Sequence, residues 1–525
     1  MIYFLYTLAI LAGLFVYTLL YEIIRYAFLK KLKDVEEISK FVSRHQINID
    51  RYKFTHKYLI KDDLLNDQEI HQEILKHAKE HDQRLELVRE KVGTYIDEIV
   101  PFFNILSFYK IGYRIAKFSL NLMYDVVLDQ KELDRLKTLE TKDKVYIYIM
   151  NHRSNVDFVL AAYMLAKNIC ISFATGEWAR VWPLEHLFKS FGSYFVRRGY
   201  PEPLYHKVLE RYLQLVTLNG MTQGIFIEGG LSRDGLFRDP KIGLLSNIAN
   251  IHKDPHFQKE IIIVPAGINF DRVLEDTHLL AEKQRKEDPR RRSFLWKIQS
   301  LFRLLGKACL SIPLNSFRIL LKKWNRNGYA TASFGEPLSL TQFIRKNPQY
   351  FQHSREEQKE ILLQFGHHIL NRIKEIIPIP PVALVSYALL KLEKDSFEEA
   401  EIVRQIMETR RELLGIGAKV VMGREFEQHR KTSQQLEKEK EMLRGELHDF
   451  EKEMLAADES KQTLQQAYNI LKRRKILRRN GNVFFLTPDK KFILEYYANS
   501  IRHFFDKTWV QNLQKDRQTR ISYYK

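Results

Sequence analysis

His152 and Asp157 lie five positions apart in the stretch Asn151-His152-Arg153-Ser154-Asn155-Val156-Asp157. On one helix they could not meet, since five steps of 100° leave them about 140° apart. Across a strand-to-helix turn they can. The run before them, Lys144-Val145-Tyr146-Ile147-Tyr148-Ile149-Met150, reads as a short buried strand. At such a turn the carboxylate can hold the imidazole in one tautomer. The free ring nitrogen can then take a proton from a hydroxyl. This pairing suits acyl transfer to an alcohol without a covalent enzyme intermediate.

Spacing alone does not select the pair, because His45/Asp50 and His77/Asp82 share it. His77 falls in a charged run, residues 69–90, that reads as a solvated helix. Asp157 also has an ordinary reading, as the acidic end of an S-x-x-D capping box that begins at Ser154. Three downstream blocks separate the first pair from the others. Gly192-Ser193-Tyr194-Phe195-Val196-Arg197-Arg198 ends an apolar segment with two guanidinium groups. Phe226-Ile227-Glu228-Gly229-Gly230-Leu231-Ser232-Arg233-Asp234-Gly235 runs from a strand into a glycine-rich turn, with Pro240-Lys241 beyond. Ile261-Ile262-Ile263-Val264-Pro265-Ala266-Gly267 reads as a buried strand closed by proline. Arginine suits phosphate because its planar fork donates two parallel hydrogen bonds. Paired glycines let backbone N–H groups approach a ligand closely. An apolar strand end can wall an acyl chain.

Taken in this order, the four blocks resemble the glycerol-3-phosphate and dihydroxyacetone-phosphate acyltransferase family, above all its bacterial membrane-bound branch. The resemblance covers residues 144–340. It extends to Ala174-Thr175-Gly176, similar to the family's small-residue loop, to Asp271-Arg272-Val273-Leu274-Glu275 after the fourth block, and to Phe334-Gly335-Glu336-Pro337 in a late strand. It implies that His152 and Asp157 form the catalytic pair. It also implies that Arg197, Arg198, Arg233 and Lys241 face the acceptor phosphate. Glu228, Gly229 and Gly230 would shape the pocket floor, and Val264 and Pro265 would contact the acyl donor. One position departs: Leu231 stands where the family commonly has arginine, so a phosphate contact is missing or replaced.

The elements that must position these residues can be read from the pattern. Residues 1–28 contain a charge-free apolar run, residues 1–21, long enough for a membrane-spanning helix at about 20 residues. No basic start or small-residue cleavage site marks it as a signal peptide. Arg25, Lys30, Lys31 and Lys33 come after it, which places the bulk of the chain on the cytoplasmic side (the inner membrane if bacterial). Residues 29–135 read as charged amphipathic helices. Residues 136–345 alternate strands with helices, giving an α/β domain, a mixed sheet flanked by helices. Pro378-Ile379-Pro380-Pro381 reads as a linker. The C-terminal region, residues 346–525, is helical. Its heptad stripe, about residues 426–475, includes Leu436, Leu443, Phe450, Ala457, Leu464 and Leu471. That coiled-coil-like stripe serves either a homodimer or a fold-back hairpin. Asn480-Gly481 predicts a β-hairpin turn, and an aromatic helix over residues 491–505 closes the chain.

Composition narrows the function classes. The 525 residues are 45% hydrophobic, and the net charge is +19. No nucleic-acid-binding module accompanies that charge. A basic face against anionic lipid accounts for it better, at roughly 1 kcal/mol per Lys/Arg near the surface. The segment Arg290-Arg291-Arg292-Ser293-Phe294-Leu295-Trp296-Lys297-Ile298 fits an interfacial helix, with a weaker candidate over residues 101–124. The two cysteines, Cys170 and Cys309, sit in apolar surroundings, and no His/Cys spacing suggests a metal. No cofactor is expected, because a thioester is already an activated acyl group. The expectation is a membrane-anchored enzyme that moves a fatty acyl group from acyl-CoA or acyl carrier protein to the 1-hydroxyl of glycerol 3-phosphate. The rivals are dihydroxyacetone phosphate or a lysophospholipid as acceptor, and a catalytically dead membrane scaffold.

Overall fold

The computed structural model describes residues 22, 57–101, 113–139, 141, 143–165, 172–176, 185, 189, 192–197, 199–287, 326–421 and 449–523. The charge-free run of residues 1–21, the basic segment from residue 290, both cysteines, His45/Asp50 and Arg198 lie outside these residues. Among the described residues no helix is long and apolar enough to cross a membrane.

The described chain opens with α1 (Lys57–Leu65), α2 (Gln68–Glu80), α3 (Leu85–Ile99) and α4 (Tyr113–Met123). Strands and helices then alternate: β1 (Asp125–Leu128), α5 (Gln130–Leu139), β2 (Lys144–Met150), α6 (Asp157–Leu165), β3 (Ser172–Gly176), β4 (Tyr194–Val196), α7 (Pro203–Leu218), β5 (Gln223–Phe226), α8 (Gly243–Ala249), β6 (Glu260–Phe270) and α9 (Asp276–Glu287). After them come β7 (Tyr329–Phe334), β8 (Leu338–Ser339), α10 (Leu340–Lys346), α11 (Arg355–Ile376), α12 (Pro381–Lys391), β9 (Ser396–Glu398) and α13 (Glu399–Gly415). The last elements are α14 (Asp449–Arg473), β10 (Leu477–Asn480), β11 (Val483–Leu486), α15 (Lys491–Asn499) and α16 (Lys507–Tyr523).

The main sheet has the order β1-β7-β6-β2-β5-β3-β4, with β8 also pairing β6. Strands β6, β2, β5, β3 and β4 run parallel, while β7 and β8 are antiparallel to β6. This is the mixed sheet flanked by helices that the alternating pattern predicts. Side chains of a strand alternate between faces. In β2 that alternation sends Tyr146, Tyr148 and Met150 into one apolar cluster and Ile147 and Ile149 into another. The first cluster includes residues of α6, α12, α14 and α15; the second includes residues of α2, α3, α7 and α11. A central strand buried on both faces reads as an unbroken apolar run, which is why β2 stands out in the sequence.

Several expectations are corrected. Helix α2 is not a solvated face: it buries Ile70, Ile74, His77 and Ala78 and packs on α3 and α7. Strand β6 does not close at Pro265 but continues to Phe270. Its antiparallel partner changes there, from β8 at Ile262 and Ile263 to β7 from Ala266 onward. The missing proline N–H therefore falls in a seam. Ala174-Thr175-Gly176 is no loop; it is the end of β3, paired with β4. The proline-rich segment is not an exposed linker. Ile377, Ile379 and Val382 are fully buried, and Ile379 bridges Val420. Pro381 opens α12 at a position where no N–H is needed.

In α14, Leu464, Ala467, Tyr468, Ile470 and Leu471 are buried, and the helix packs on α12 and α13. This end of the heptad stripe is therefore covered by the chain itself, while residues 426–448 lie outside the described ones. Asn480 pairs with Val483, so the hairpin turn is Gly481-Asn482, one residue later than expected. The aromatic helix ends at Asn499, a short 3-10 turn covers Arg502–Phe505, and α16 comes after it.

Candidate active site

β2 ends at Met150 and α6 begins at Asp157, so His152 and Asp157 face each other across the turn between them. His152 Nδ1 lies 2.8 Å from Asp157 Oδ2. The same oxygen accepts the N–H of Arg153 at 2.7 Å and of Ser154 at 3.0 Å. An oxygen already accepting two amides is an acceptor, so Nδ1 carries the proton and donates it to Asp157. The lone pair is then on Nε2, which has no hydrogen-bond partner among the described residues. Asp157 thus tethers the start of α6 and holds His152 at once; the capping reading and the catalytic reading are compatible. Both side chains are almost wholly buried, at 2% exposed for His152 and 0% for Asp157. The imidazole stacks on Phe226, with centroids 4.1 Å apart, and meets the edge of Phe158 at 5.7 Å.

The backbone of the turn is pinned from several sides. Asn151 Nδ2 donates to Ile268 O at 2.8 Å, and Ile268 N donates to Asn151 Oδ1 at 2.7 Å. Ser232 N donates to His152 O at 3.1 Å. Glu275 accepts Ser154 Oγ–H at 3.0 Å and Asn155 N–H at 2.6 Å.

The glycine-rich turn comes directly after β5. Glu228 is buried, and its carboxylate bridges two amides: His152 N at 3.1 Å and Arg238 N at 3.0 Å. Burial pushes its carboxyl up, against the opposing pull of Arg153 and the two amides. Gly229 has φ +62, and a Cβ there would sit 2.9 Å from Lys241 Cγ, so the turn needs glycine. Gly230 is buried beside it.

The predicted cations are held differently. Arg233 donates to Glu282 Oε1 at 2.8 Å. Lys241 is exposed beside Gly229 and has no ion pair among the described residues. Arg197 stands apart at the end of β4. It donates to both oxygens of Glu98, at 2.7 and 2.5 Å, among the rings of Tyr95, Tyr200 and Tyr205. Val264 is fully buried in the same apolar cluster as Phe158 and Phe226, and Pro265 lies in register with Ile149 inside the sheet.

Little in the sequence signals what backs the turn. Arg153 is 1% exposed, donates to Gly235 O and lies 4.7 Å over Phe237. Its Nε and Nη2 have no partner among the described residues. From the C-terminal region, Asn499 Nδ2 donates to Asp234 O at 2.8 Å. Gly235 has φ +83, and a Cβ there would lie 1.8 Å from Tyr496 O. Arg474 donates to both oxygens of Asp276, at 2.5 and 2.8 Å, and Tyr497 OH donates to the same carboxylate at 2.5 Å. Lys374 and His503 also flank Phe237. Burial lowers the Lys374 ammonium and takes His503 down to about 3, so His503 is neutral. Only the aromatic pattern of residues 491–505 hints at this wall.

Residues 131–269, which carry the His152–Asp157 pair and the glycine-rich turn, match the acyltransferase family model. Residues 314–425 match the model of the glycerol-3-phosphate acyltransferase C-terminal region. The chain therefore carries an acyltransferase domain followed by that C-terminal region, in line with the motif resemblance. Its relatives include the glycerol-3-phosphate acyltransferase of Aeromonas hydrophila subsp. hydrophila, 24% identical over 375 residues, covering 69% of this chain and 43% of the relative. The protein of the same name from Haemophilus influenzae is 23% identical over 353 residues, covering 65% and 40%. The aligned part spans less than half the length of these relatives. A solved structure, the 1-acyl-sn-glycerophosphate (LPA) acyltransferase from Thermotoga maritima, matches at 19% identity and a TM-score of 0.28, covering 50% of this chain and 78% of that one. So slight a structural likeness adds nothing to the assignment.

Proposed function

We propose that this protein transfers a fatty acyl group from an acyl thioester, on coenzyme A or acyl carrier protein, to the 1-hydroxyl of glycerol 3-phosphate. The product is lysophosphatidate. The observation that carries the reading is the buried 2.8 Å His152–Asp157 pair, inside a domain that matches the acyltransferase model. Nε2 of His152 removes the hydroxyl proton as the oxygen attacks the thioester carbonyl. Asp157 keeps the proton on Nδ1 and stabilises the imidazolium. The carbon–sulfur bond breaks as the carbon–oxygen bond is completed, and the leaving thiolate takes the proton back from His152. Arg233 and Lys241 orient the acceptor through its phosphate, an effect that can be worth several kcal/mol. No step needs a metal or cofactor. The charge-free run at residues 1–21 and the net charge of +19 support a membrane-anchored enzyme on a surface rich in anionic lipid.

Radiolabelled glycerol 3-phosphate, dihydroxyacetone phosphate and a lysophospholipid, each supplied separately to membranes holding the protein with each thioester donor, test the reading. Labelled lysophosphatidate is expected, in material that stays with the membranes through a high-salt wash. Acylation of dihydroxyacetone phosphate or a lysophospholipid alone would move the acceptor. No acyl transfer to any of the three would leave a scaffold.

A further inference from the structure

A cation that no carboxylate already holds can meet an anion without first giving up an ion pair. Arg233 is paired with Glu282, and Arg197 is paired with Glu98. Lys241 has no ion pair among the described residues but is exposed, and Arg238 differs from all three. It is half-buried, and its guanidinium has no hydrogen-bond or ion-pair partner among the described residues. Its place is nonetheless fixed. Its own N–H donates to Glu228 Oε2 at 3.0 Å, while Oε1 of that carboxylate accepts the N–H of His152 at 3.1 Å. One buried carboxylate therefore ties the backbone of Arg238 to the backbone of the residue that would take the proton. Leu231, on the same turn, packs its side chain against the apolar core and offers an anion nothing.

We propose that Arg238 binds the phosphate of the acceptor and supplies the charge that Leu231 does not. The assignment rests on the reading of the site as a glycerol-3-phosphate acyltransferase. It accounts for why the turn dispenses with an arginine at position 231. A guanidinium seven positions further on, carried by a backbone that the Glu228 bridge ties to that of His152, has the same planar fork. Glu228 has two roles in this arrangement: it shapes the turn, and it sets the distance between phosphate recognition and the base.

Steady-state kinetics of the full chain test it, with wild type, Arg238→Gln and Arg238→Lys compared and inorganic phosphate used as a competing anion. The Gln variant should raise the acceptor KM and the phosphate inhibition constant by about 10- to 100-fold, with the donor KM within about twofold. The Lys variant should recover part of the loss, since it keeps the charge without the fork. Unchanged acceptor KM and phosphate inhibition in a folded Gln variant would overturn the assignment, as would a parallel rise in both KM values. Should the Gln variant fail to fold, the Lys variant decides by itself. A rise confined to the acceptor KM supports the proposal, and no change refutes it. A wild-type protein inactive on glycerol 3-phosphate would instead bring down the parent reading, and this assignment with it.

Discussion

His152 and Asp157 meet at 2.8 Å, whereas no ion pair joins His77 to Asp82, which have the same spacing. The difference lies in where the element boundaries fall. Between His152 and Asp157 a strand ends and a helix begins, so the chain doubles back and brings the two side chains together. His77 sits inside the last turn of α2, and Asp82 comes after the helix at φ +50, as the chain leaves it. His77 is buried against α7 instead, 3.8 Å from Glu202 and stacked on His81 at 4.2 Å. Burial, His81 and Lys91 lower its pKa, so it is a neutral packing residue. The His-x4-Asp spacing has no chemical meaning until the fold places a turn inside it.

The His152 turn is also braced from the C-terminal region, and the largest predicted effect attacks that brace. Gly235→Ala would force a Cβ into Tyr496 O at a positive φ, and should cost more than about 3 kcal/mol of stability. A urea-unfolding midpoint reads it; a wild-type midpoint would mean that α15 does not back the turn. Asp157→Asn comes next. Without the carboxylate, Nδ1–H is no longer enforced, and turnover should fall by about 10²- to 10⁴-fold in a protein that still unfolds cooperatively. Retained turnover would reduce Asp157 to its helix-capping role.

Arg233→Ala should act on binding, raising the acceptor KM by about 10-fold or somewhat more while leaving the donor KM nearly unchanged. A change in the donor KM alone would remove Arg233 from the acceptor site. The smallest effect belongs to the other histidine. Its folded pKa is depressed, so the unfolded chain binds the proton more readily, and its contribution to stability is lost as pH falls below about 6.5. Between pH 7 and pH 5 the wild type should therefore lose more stability than His77→Gln. Equal slopes in the two unfolding series would show that His77 is not held neutral.

The legible part of this molecule is what leaves a local trace. β2 is an apolar run because both faces are buried, and the glycine-rich turn shows in Gly229, whose positive φ only glycine adopts at little cost. The His152–Asp157 pair is legible because strand, turn and helix start are all written within residues 144–157. Long-range partners are not. Arg474 and Asp276 are 198 positions apart, and nothing in either neighbourhood announces the other. Arg153, next to the histidine, reads as one more surface cation, yet it is buried between Gly235 and Phe237. The proline-rich segment misleads for a related reason. Prolines that start a helix in a core and prolines that break a linker look alike until the packing is seen. Arg197 is legible as a cation but not as Glu98's partner, since α3 is far from β4 in the chain.

One spacing, then, should be catalytic in one place and inert in the other. The decisive experiment compares the turnover of His152→Ala and His77→Ala, side by side, with glycerol 3-phosphate and an acyl thioester. The expected result is a fall of about 10²- to 10⁴-fold for His152→Ala, in a protein that still unfolds cooperatively, and little change in turnover for His77→Ala. Equal losses from the two substitutions, or a His152→Ala protein that turns over at the wild-type rate, would contradict it.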